Sequence, residues 1–180
     1  GVAGVPGADA KDDFFGNTVS MGDFNDDGCA DVAIGAPGNN AHRGSVTVLY
    51  GKVTGLDATG AQFFTQNTVA AGTALPDEQF GNSIAVGDFD ADGVDDMAVG
   101  ALFDVTDLGT GERGGAVTVL YGSTTGVNKG RAALTITQDS PGIATPSEHA
   151  DEFGWEVAAG NVNNDAADDL VISSPGENKG

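Results

Sequence analysis

Basic residues are scarce in this chain, and their scarcity excludes several classes of partner. The 180 residues include only 7 Lys and Arg against 27 Asp and Glu, which gives a formal net charge of -20 at pH 7. Nucleic-acid binding needs clusters of Lys and Arg against the phosphate backbone, and anionic membrane surfaces attract the same residues. We therefore expect no nucleic-acid partner and no membrane insertion.

Cysteine and long apolar runs are also lacking. Cys29 is the only cysteine, so no internal disulfide can form. No apolar run in the sequence approaches the roughly 20 residues of a membrane-spanning helix. Glycine, in contrast, occurs 29 times. This frequency suits tight turns between short strands better than helices, in which each glycine costs about 1 kcal/mol relative to alanine.

An internal repeat is present. A Phe-Gly pair occurs at Phe15-Gly16, Phe80-Gly81 and Phe153-Gly154, each time before a short apolar segment and an acidic loop. A second motif lies between these pairs, as GSVTVLYG from Gly44 and GAVTVLYG from Gly115. Two motifs in a fixed order predict repeated structural units.

Each unit is predicted to contain four strands and no helix. The first strand follows Phe-Gly, the second follows the acidic loop, the third is the β-branched VTVLY run, and the fourth is placed at 61–65 and 132–137. Short strands between Gly, Asp and Asn turns predict an all-β meander, and repeated units of four strands predict β-propeller blades. We place blade 1 at 1–66, blade 2 at 67–138 and the first half of blade 3 at 139–180, about two and a half blades.

The acidic loops have the spacing of a metal site. Counted from the first oxygen-bearing side chain, positions 1, 3, 5 and 9 are carboxylates or amides, and position 7 can offer its backbone carbonyl. In that order the candidate ligands are Asp23, Asn25, Asp27, Asp31 and Cys29; Asp88, Asp90, Asp92, Asp96 and Val94; and Asn161, Asn163, Asp165, Asp169 and Ala167.

Oxygen ligands without His or Cys side chains favour Ca²⁺ over zinc. A solvated acidic turn is the alternative, but carboxylates so close together repel one another unless a cation intervenes. Gly28 and Gly93 at position 6 permit a sharp turn, whereas the third loop has Ala166 and fewer carboxylates. We predict calcium in the first two loops and leave the third open. The loops are not EF-hands, because position 12 falls in the next strand instead of on a bidentate Glu.

Phe-Gly, a short strand, the DxNxDGxxD loop and Gly-Ala-Pro together resemble the FG-GAP repeat, known from integrin-like β-propellers and secreted bacterial proteins. The first copy ends in Gly35-Ala36-Pro37, the second in Gly100-Ala101-Leu102 and the third in Ser173-Ser174-Pro175. The resemblance implies a calcium-binding β-propeller, usually of seven blades, with calcium in the loops that join the first two strands of a blade.

The resemblance also implies a secreted or extracellular module for recognition or adhesion, with a protein or glycan ligand. The alternative is the non-catalytic propeller portion of a secreted enzyme or of an enzyme inhibitor. The sequence contains no nucleophile elbow, no His-Glu-x-x-His and no phosphate loop, so we expect no catalysis from this chain.

Some expectations concern particular surfaces. The resemblance implies that ligands bind on the face opposite the calcium loops, where the candidate contacts are His42, Arg43, Arg113 and His149. Phe15, Phe80 and Phe153 should be buried, and Trp155 should pack within a blade. The open edge of the third blade should meet the rest of the propeller or another copy of the chain, because unpaired sheet edges promote aggregation.

Overall fold

Ten β-strands form three antiparallel sheets in the computed structural model, which describes residues 4–7, 11–69, 73–105 and 111–177. The first sheet consists of β1 (Thr18–Gly22), β2 (Asp31–Gly35), β3 (Val46–Tyr50) and β4 (Asp57–Phe64). The second consists of β5 (Ile84–Gly87), β6 (Asp96–Ala101), β7 (Ala116–Leu120) and β8 (Leu134–Ile136). The third pairs β9 (Val157–Gly160) with β10 (Asp169–Ile172).

This architecture confirms the predicted all-β fold of four-stranded antiparallel blades, with about two and a half blades present. Within each full sheet the spatial order of the strands is their chain order. The blade boundaries at 66/67 and 138/139 stay predictions. Within the described residues, two helical turns add to the strands: α1 (Asn39–His42) and α2 (Gln66–Val69). In α1, Asn40 and Ala41 have φ of 50° and 59°, so this segment is a left-handed turn and not a regular helix.

The first strands of successive blades lie side by side, β1 against β5 and β5 against β9. Between β1 and β5, the Ser20 hydroxyl donates a hydrogen bond of 2.8 Å to the Ile84 carbonyl. All six residues of β6, the sequence DMAVGA, are buried because both faces of the middle blade are covered. Met97 and Val99 face the first blade, and Ala98 faces the third. The mixture of large and small residues in this strand therefore reflects two different interfaces.

The core consists of two layers between blades. The larger layer lies between the first and second blades and is formed by Phe24, Ala33, Val46, Val48, Phe64, Phe80, Ile84, Met97, Val99, Ala101, Leu120 and Val127. The smaller layer lies between the second and third blades and contains Ala98, Val117, Val119, Tyr121 and Phe153. Apolar burial at these layers is the main force that holds the blades together.

The two ends of the repeat motif meet where one blade follows another. The Gly81 carbonyl oxygen lies so close to Gly35 that a Cβ there would be 2.1 Å from it, and the Gly154 oxygen would be 2.3 Å from a Cβ on Gly100. Only glycine permits this approach. The glycine of Gly-Ala-Pro is thus required by the Phe-Gly pair of the following repeat.

The burial of the repeated phenylalanines was predicted correctly for two of the three. Phe80 and Phe153 are buried, but Phe15 is half-buried. Phe80 forms a parallel bridge with Gly44 of the first blade, and the Phe153 amide donates to the Gly114 carbonyl of the second at 2.8 Å. No described residue forms a preceding blade on which Phe15 could dock in the same way.

Trp155 is also placed differently from the expectation. Its side chain is 43% exposed and belongs to neither interblade layer. The sequence position that holds Asn17 and Asn82 in the first two repeats is therefore a surface position in the third as well.

The outer faces of the first and third blades expose apolar side chains. Val19 and Met21 on β1 are 56% and 68% exposed, and Val171 on β10 is 56% exposed. Phe24 is fully buried between the first two blades, whereas Val162, at the same loop position in the third repeat, is 78% exposed. Position 2 of the loop therefore belongs to the interface with a following blade.

Among the described residues, no helix has the length and apolarity needed to span a membrane.

Two acidic side chains are enclosed in the links of the second blade. Glu78 is buried and accepts a hydrogen bond of 2.6 Å from the Leu75 amide. Asp104 accepts one of 2.7 Å from the Gln66 side-chain amide. Burial, with the nearby charge of Glu78, raises the pKa of Asp104 to about 7. The ionised form of Asp104 therefore opposes folding.

We expect Asp104→Asn to stabilise the protein at pH 8 by about 1–3 kcal/mol, since each unit of pKa corresponds to about 1.4 kcal/mol and Asp104 keeps some contact with solvent. The folded pKa lies above the unfolded value near 3.9, so wild-type stability falls as the pH rises from about 4 to 7. Asp104→Asn removes the contribution of Asp104 to this fall in stability. Urea unfolding in calcium at pH 5 and pH 8 measures it, with exposed Asp12→Asn as the control. An equal effect of Asp104→Asn at both pH values would contradict the prediction.

Candidate metal centre

The three acidic loops lie between the first and second strands of their blades. Loop 1 (23–31) joins β1 to β2, loop 2 (88–96) joins β5 to β6, and loop 3 (161–169) joins β9 to β10. Loop 1 contacts loop 2, and loop 2 contacts loop 3, through main-chain hydrogen bonds. The repeat thus places all three predicted sites at one end of the stacked blades.

The carboxylate at position 1 organises the turn in loops 1 and 2. In loop 1, Asp23 accepts hydrogen bonds from the amides of Asp27 at 3.1 Å and Gly28 at 2.8 Å. Asp88 accepts the equivalent two bonds in loop 2, at 3.1 and 2.9 Å. These bonds curl the backbone around the first ligand, so the side chains of the alternate positions converge on one side.

Left-handed residues shape these turns at two positions. Gly28 and Gly93 at position 6 have φ of 80° and 91°, as the predicted sharp turn requires. Position 4 is left-handed in all three loops, with φ of 56–61° at Asp26, Ala91 and Asn164. The left-handed backbone at position 4 was not predicted, because the residue type at this position varies. Ala166 does not share the left-handed backbone of the glycines, so the turn of loop 3 differs.

The carboxylate at position 9 is buried and ties the loop to the end of the third strand. Asp31 accepts hydrogen bonds from the amides of Phe24 at 2.9 Å and Gly51 at 2.8 Å. Asp96 repeats the arrangement with Phe89 and Gly122 at the same distances. The glycines were not predicted as part of the site. Their signal was present, since both end the repeated VTVLYG sequence.

Loop 2 shows the strongest convergence of ligand atoms. Carboxylate oxygens of Asp88, Asp90 and Asp96 all lie within 4.8 Å of one another. Oxygens bound to one Ca²⁺ at 2.3–2.6 Å can be at most about 5 Å apart, so this spacing fits a single ion. The Oδ1 atom of Asp90 is buried without a hydrogen-bond partner. A buried carboxylate oxygen left in this way needs a cation or a donor.

The electrostatics of loop 2 agree with its geometry. Burial, together with the nearby charges of Asp90 and Asp92, raises the pKa of Asp96 to about 7. Desolvation and like charges therefore both oppose ionisation. A divalent cation among these carboxylates would reverse the balance. The residues present in loop 2 thus fit Ca²⁺.

Arg131 adds a contact that the sequence analysis did not anticipate. Its guanidinium lies 2.6 Å from Oδ2 of Asp90 and 3.8 Å from the centre of the Tyr121 ring. The arginine pairs with Oδ2 of Asp90, whereas the buried Oδ1 has no hydrogen-bond partner. It comes from the segment between β7 and β8, about 40 residues from loop 2, where no local pattern marks it.

Loop 3 holds its carboxylates with its own amide donors, as loop 1 does in part, where Asn25 donates to Asp27 at 3.2 Å. The side-chain amide of Asn163 donates to Asp165 at 2.8 Å and to Asp169 at 3.3 Å. The Asn161 amide donates to the Asp165 carbonyl at 2.6 Å. These amide donors satisfy some of the oxygen atoms that a cation would otherwise coordinate. An ion in loop 3 would therefore add less stabilisation than an ion in loop 2.

The residues expected on the opposite face are partly engaged in holding links together. Arg43 donates to two main-chain carbonyls at 3.0 and 3.1 Å, and Arg113 to two at 3.1 and 3.2 Å. His42 lies 3.5 Å from Asp77 and, like His149, is exposed. The arginines therefore have structural roles, and the histidines remain candidates for contact with a ligand.

Comparison with known proteins agrees with this architecture. The FG-GAP repeat family matches residues 15–49, 80–120 and 153–180, more than half of the sequence. The chain therefore belongs to the FG-GAP repeat family.

Its relatives include an enzyme and two integrins. The chain is 34% identical over 165 residues to phosphatidylinositol-glycan-specific phospholipase D of Bos taurus, a match that covers 89% of this chain and 18% of the relative. It is 29% identical over 169 residues to integrin alpha-5 of Xenopus laevis, with 91% and 14% covered, and 29% identical over 173 residues to integrin alpha-8 of Mus musculus, with 95% and 14% covered. The chain spans less than a fifth of the length of these curated relatives.

Proposed function

We propose that this chain is a calcium-binding segment of an FG-GAP β-propeller that acts as an extracellular recognition or adhesion module. The observation that carries the calcium proposal is loop 2, where three carboxylates converge within 4.8 Å and the buried Oδ1 of Asp90 lacks a partner. Loop 1 supports it with the same main-chain hydrogen bonds to its first and ninth residues.

The chain's own residues define what an ion does here. Positions 1, 3, 5 and 9 would supply side-chain oxygens and position 7 a carbonyl, while the bound ion supplies the charge that offsets the repulsion among them. The loop joins the first two strands of a blade, and Asp31 and Asp96 link it to the third. Calcium would therefore stabilise three strands at once, which makes its role structural. We propose no catalytic role for this chain.

The extracellular part of this proposal is supported by membership of the FG-GAP family and by similarity to integrin α chains. Extracellular calcium modules have dissociation constants of roughly 0.1–1 mM, which suits the high concentration of calcium outside cells. The integrin relatives favour a protein or glycan ligand. A glycan array and a panel of immobilised extracellular proteins, probed with the calcium-loaded chain, test recognition. Binding to neither would contradict that part of the proposal.

A second candidate function rests on the phospholipase D relative, whose matched region is 18% of its length. On this alternative, the chain is the non-catalytic propeller portion of a secreted enzyme or enzyme inhibitor. The exposed Val19, Met21, Val162 and Val171 mark blade faces that the rest of a propeller, or another copy of the chain, would cover. Sedimentation of the chain over a range of concentrations tests whether another copy of the chain covers these faces, since self-association would then increase with concentration.

Asp27→Ala and Asp92→Ala should each remove one calcium site, because each deletes the position 5 carboxylate of one loop. Isothermal titration calorimetry should show the stoichiometry fall by one in either variant and by two in the double variant. Asp26→Asn is the matched control, since it removes a carboxylate from exposed position 4 and should leave the stoichiometry unchanged. Wild-type stoichiometry in the double variant would contradict the ligand assignment.

A further inference from the structure

The aspartate at position 8 of one loop forms two hydrogen bonds with the first residue of the preceding loop, through its side chain and its amide. We call this pair of hydrogen bonds the clasp. The Oδ2 atom of Asp95 accepts a hydrogen bond of 2.7 Å from the Asp23 amide, and the Asp95 amide donates to the Asp23 carbonyl at 3.2 Å. Both main-chain groups of Asp23 are thus held by loop 2. Asp23 is position 1 of loop 1, the residue around which that loop turns.

The same clasp recurs between loops 2 and 3. Asp168 accepts from the Asp88 amide at 3.1 Å and donates to the Asp88 carbonyl at 2.7 Å. In loop 1 the residue at position 8 is Ala30, which has no carboxylate to offer. The clasp is therefore a feature of two particular junctions in this chain.

The glycines before loops 1 and 2 leave room for these aspartate contacts. A Cβ on Gly22 would lie 2.6 Å from Cγ1 of Val86 and 2.8 Å from Oδ2 of Asp95, and one on Gly87 would lie 2.8 Å from Oδ2 of Asp168. Gly160, which precedes loop 3, has no atom within 4 Å of the corresponding position. The room that glycine provides is thus used where a following loop supplies its aspartate.

We propose that Asp95 is a positioning residue that couples calcium binding in loops 1 and 2, an inference that rests on the proposed calcium function. Asp95 stands between Val94, whose carbonyl is position 7, and Asp96, the position 9 carboxylate. An ion in loop 2 fixes both neighbours and with them Asp95. Asp95 then holds the amide and carbonyl of Asp23 in place. Loop 1 therefore loses less conformational entropy when it binds its own ion, and its affinity for calcium rises. By linkage, loop 1 raises the affinity of loop 2 by the same factor.

Two-dimensional NMR of the 180-residue chain, titrated with calcium chloride, resolves the two loops. The Gly28 amide donates to Asp23 and the Gly93 amide to Asp88, so their resonances report loops 1 and 2 separately. Disabling loop 2 with Asp92→Ala should weaken loop 1 at least about five-fold. With Asp95→Ala already present, the same Asp92→Ala change should alter loop 1 affinity by less than about two-fold.

Two further variants separate the clasp from folding and from charge. Alanine occupies position 8 in loop 1, so Asp95→Ala should leave the fold intact, which the amide spectrum without calcium checks. Asp95→Asn keeps an oxygen that can accept from the Asp23 amide and should restore part of the coupling. Asp26→Asn removes an exposed charge outside the clasp and should leave the coupling unchanged.

The outcomes are distinguishable. An equal effect of Asp92→Ala on loop 1 with and without Asp95, or no effect in either background, would overturn the coupling and leave the calcium sites standing. Loss of coupling in Asp26→Asn would assign it to charge and overturn the role of Asp95. If neither glycine amide responds to several millimolar calcium, the proposed function itself fails.

Discussion

Chelation of calcium should lower the melting temperature of this chain by about 10–20 °C. At 100 times the dissociation constant, each site that only the folded state offers adds about 2.7 kcal/mol, so two sites add about 5 kcal/mol. For a chain of this size, 1 kcal/mol shifts the midpoint by about 2–4 °C. The effect is large because loops 1 and 2 concentrate carboxylates that repel one another when no cation is bound.

Differential scanning calorimetry in 10 mM calcium and in excess chelator, at matched ionic strength, measures this shift. The double variant Asp27→Ala and Asp92→Ala should melt at one temperature in both buffers. Magnesium at the same concentration should stabilise less, because it requires shorter distances and gives up its water reluctantly. Superimposable melting curves for the wild type would contradict a structural role of calcium.

Phe80→Ala should be the most destabilising single substitution in the repeat motif, at about 3–5 kcal/mol. The ring of Phe80 is fully buried in the layer between the first two blades, and its backbone passes over Gly44. Removing the ring leaves a cavity where the second blade docks on the first. Equilibrium unfolding in urea with calcium present measures the loss.

Phe15→Ala is the matched control, since Phe15 holds the same motif position but is only half-buried. It should destabilise the chain by clearly less than Phe80→Ala. Equal losses at the two positions would mean that the ring acts within its own blade and does not dock one blade on another.

The strands that were predicted well are those with strong local patterns. β3 carries the alternating VTVLY run, and β2 and β6 follow an acidic loop at a fixed distance. β4 was placed at 61–65 but runs from Asp57 to Phe64, because its register against β3 shifts between Val48 and Tyr50. Gly60, which has φ of 84° within β4, marks this irregularity, because a glycine inside a strand is typical of a β-bulge.

In the candidate metal site, too, the residues with a local sequence pattern were predicted and those that depend on distant contacts were not. Positions 1, 3, 5 and 9 could be predicted as candidate ligands from spacing, since they lie within nine residues. The Arg131 contact and the Asp95 contact to Asp23 could not, because each joins segments more than 40 residues apart. Gly51 and Gly122 were missed although a signal was present, since both end the repeated VTVLYG sequence. Phe15 was predicted to be buried from its identity with Phe80, but burial depends on a neighbouring blade and not on the motif.

Anomalous diffraction from crystals grown with several millimolar calcium tests the central claim most directly. We expect one peak inside loop 1 and one inside loop 2, each about 2.3–2.6 Å from oxygens at positions 1, 3, 5, 7 and 9. The peaks should vanish from loop 1 in Asp27→Ala and from loop 2 in Asp92→Ala. Ordered loops with no anomalous density in either one at that calcium concentration would contradict the account.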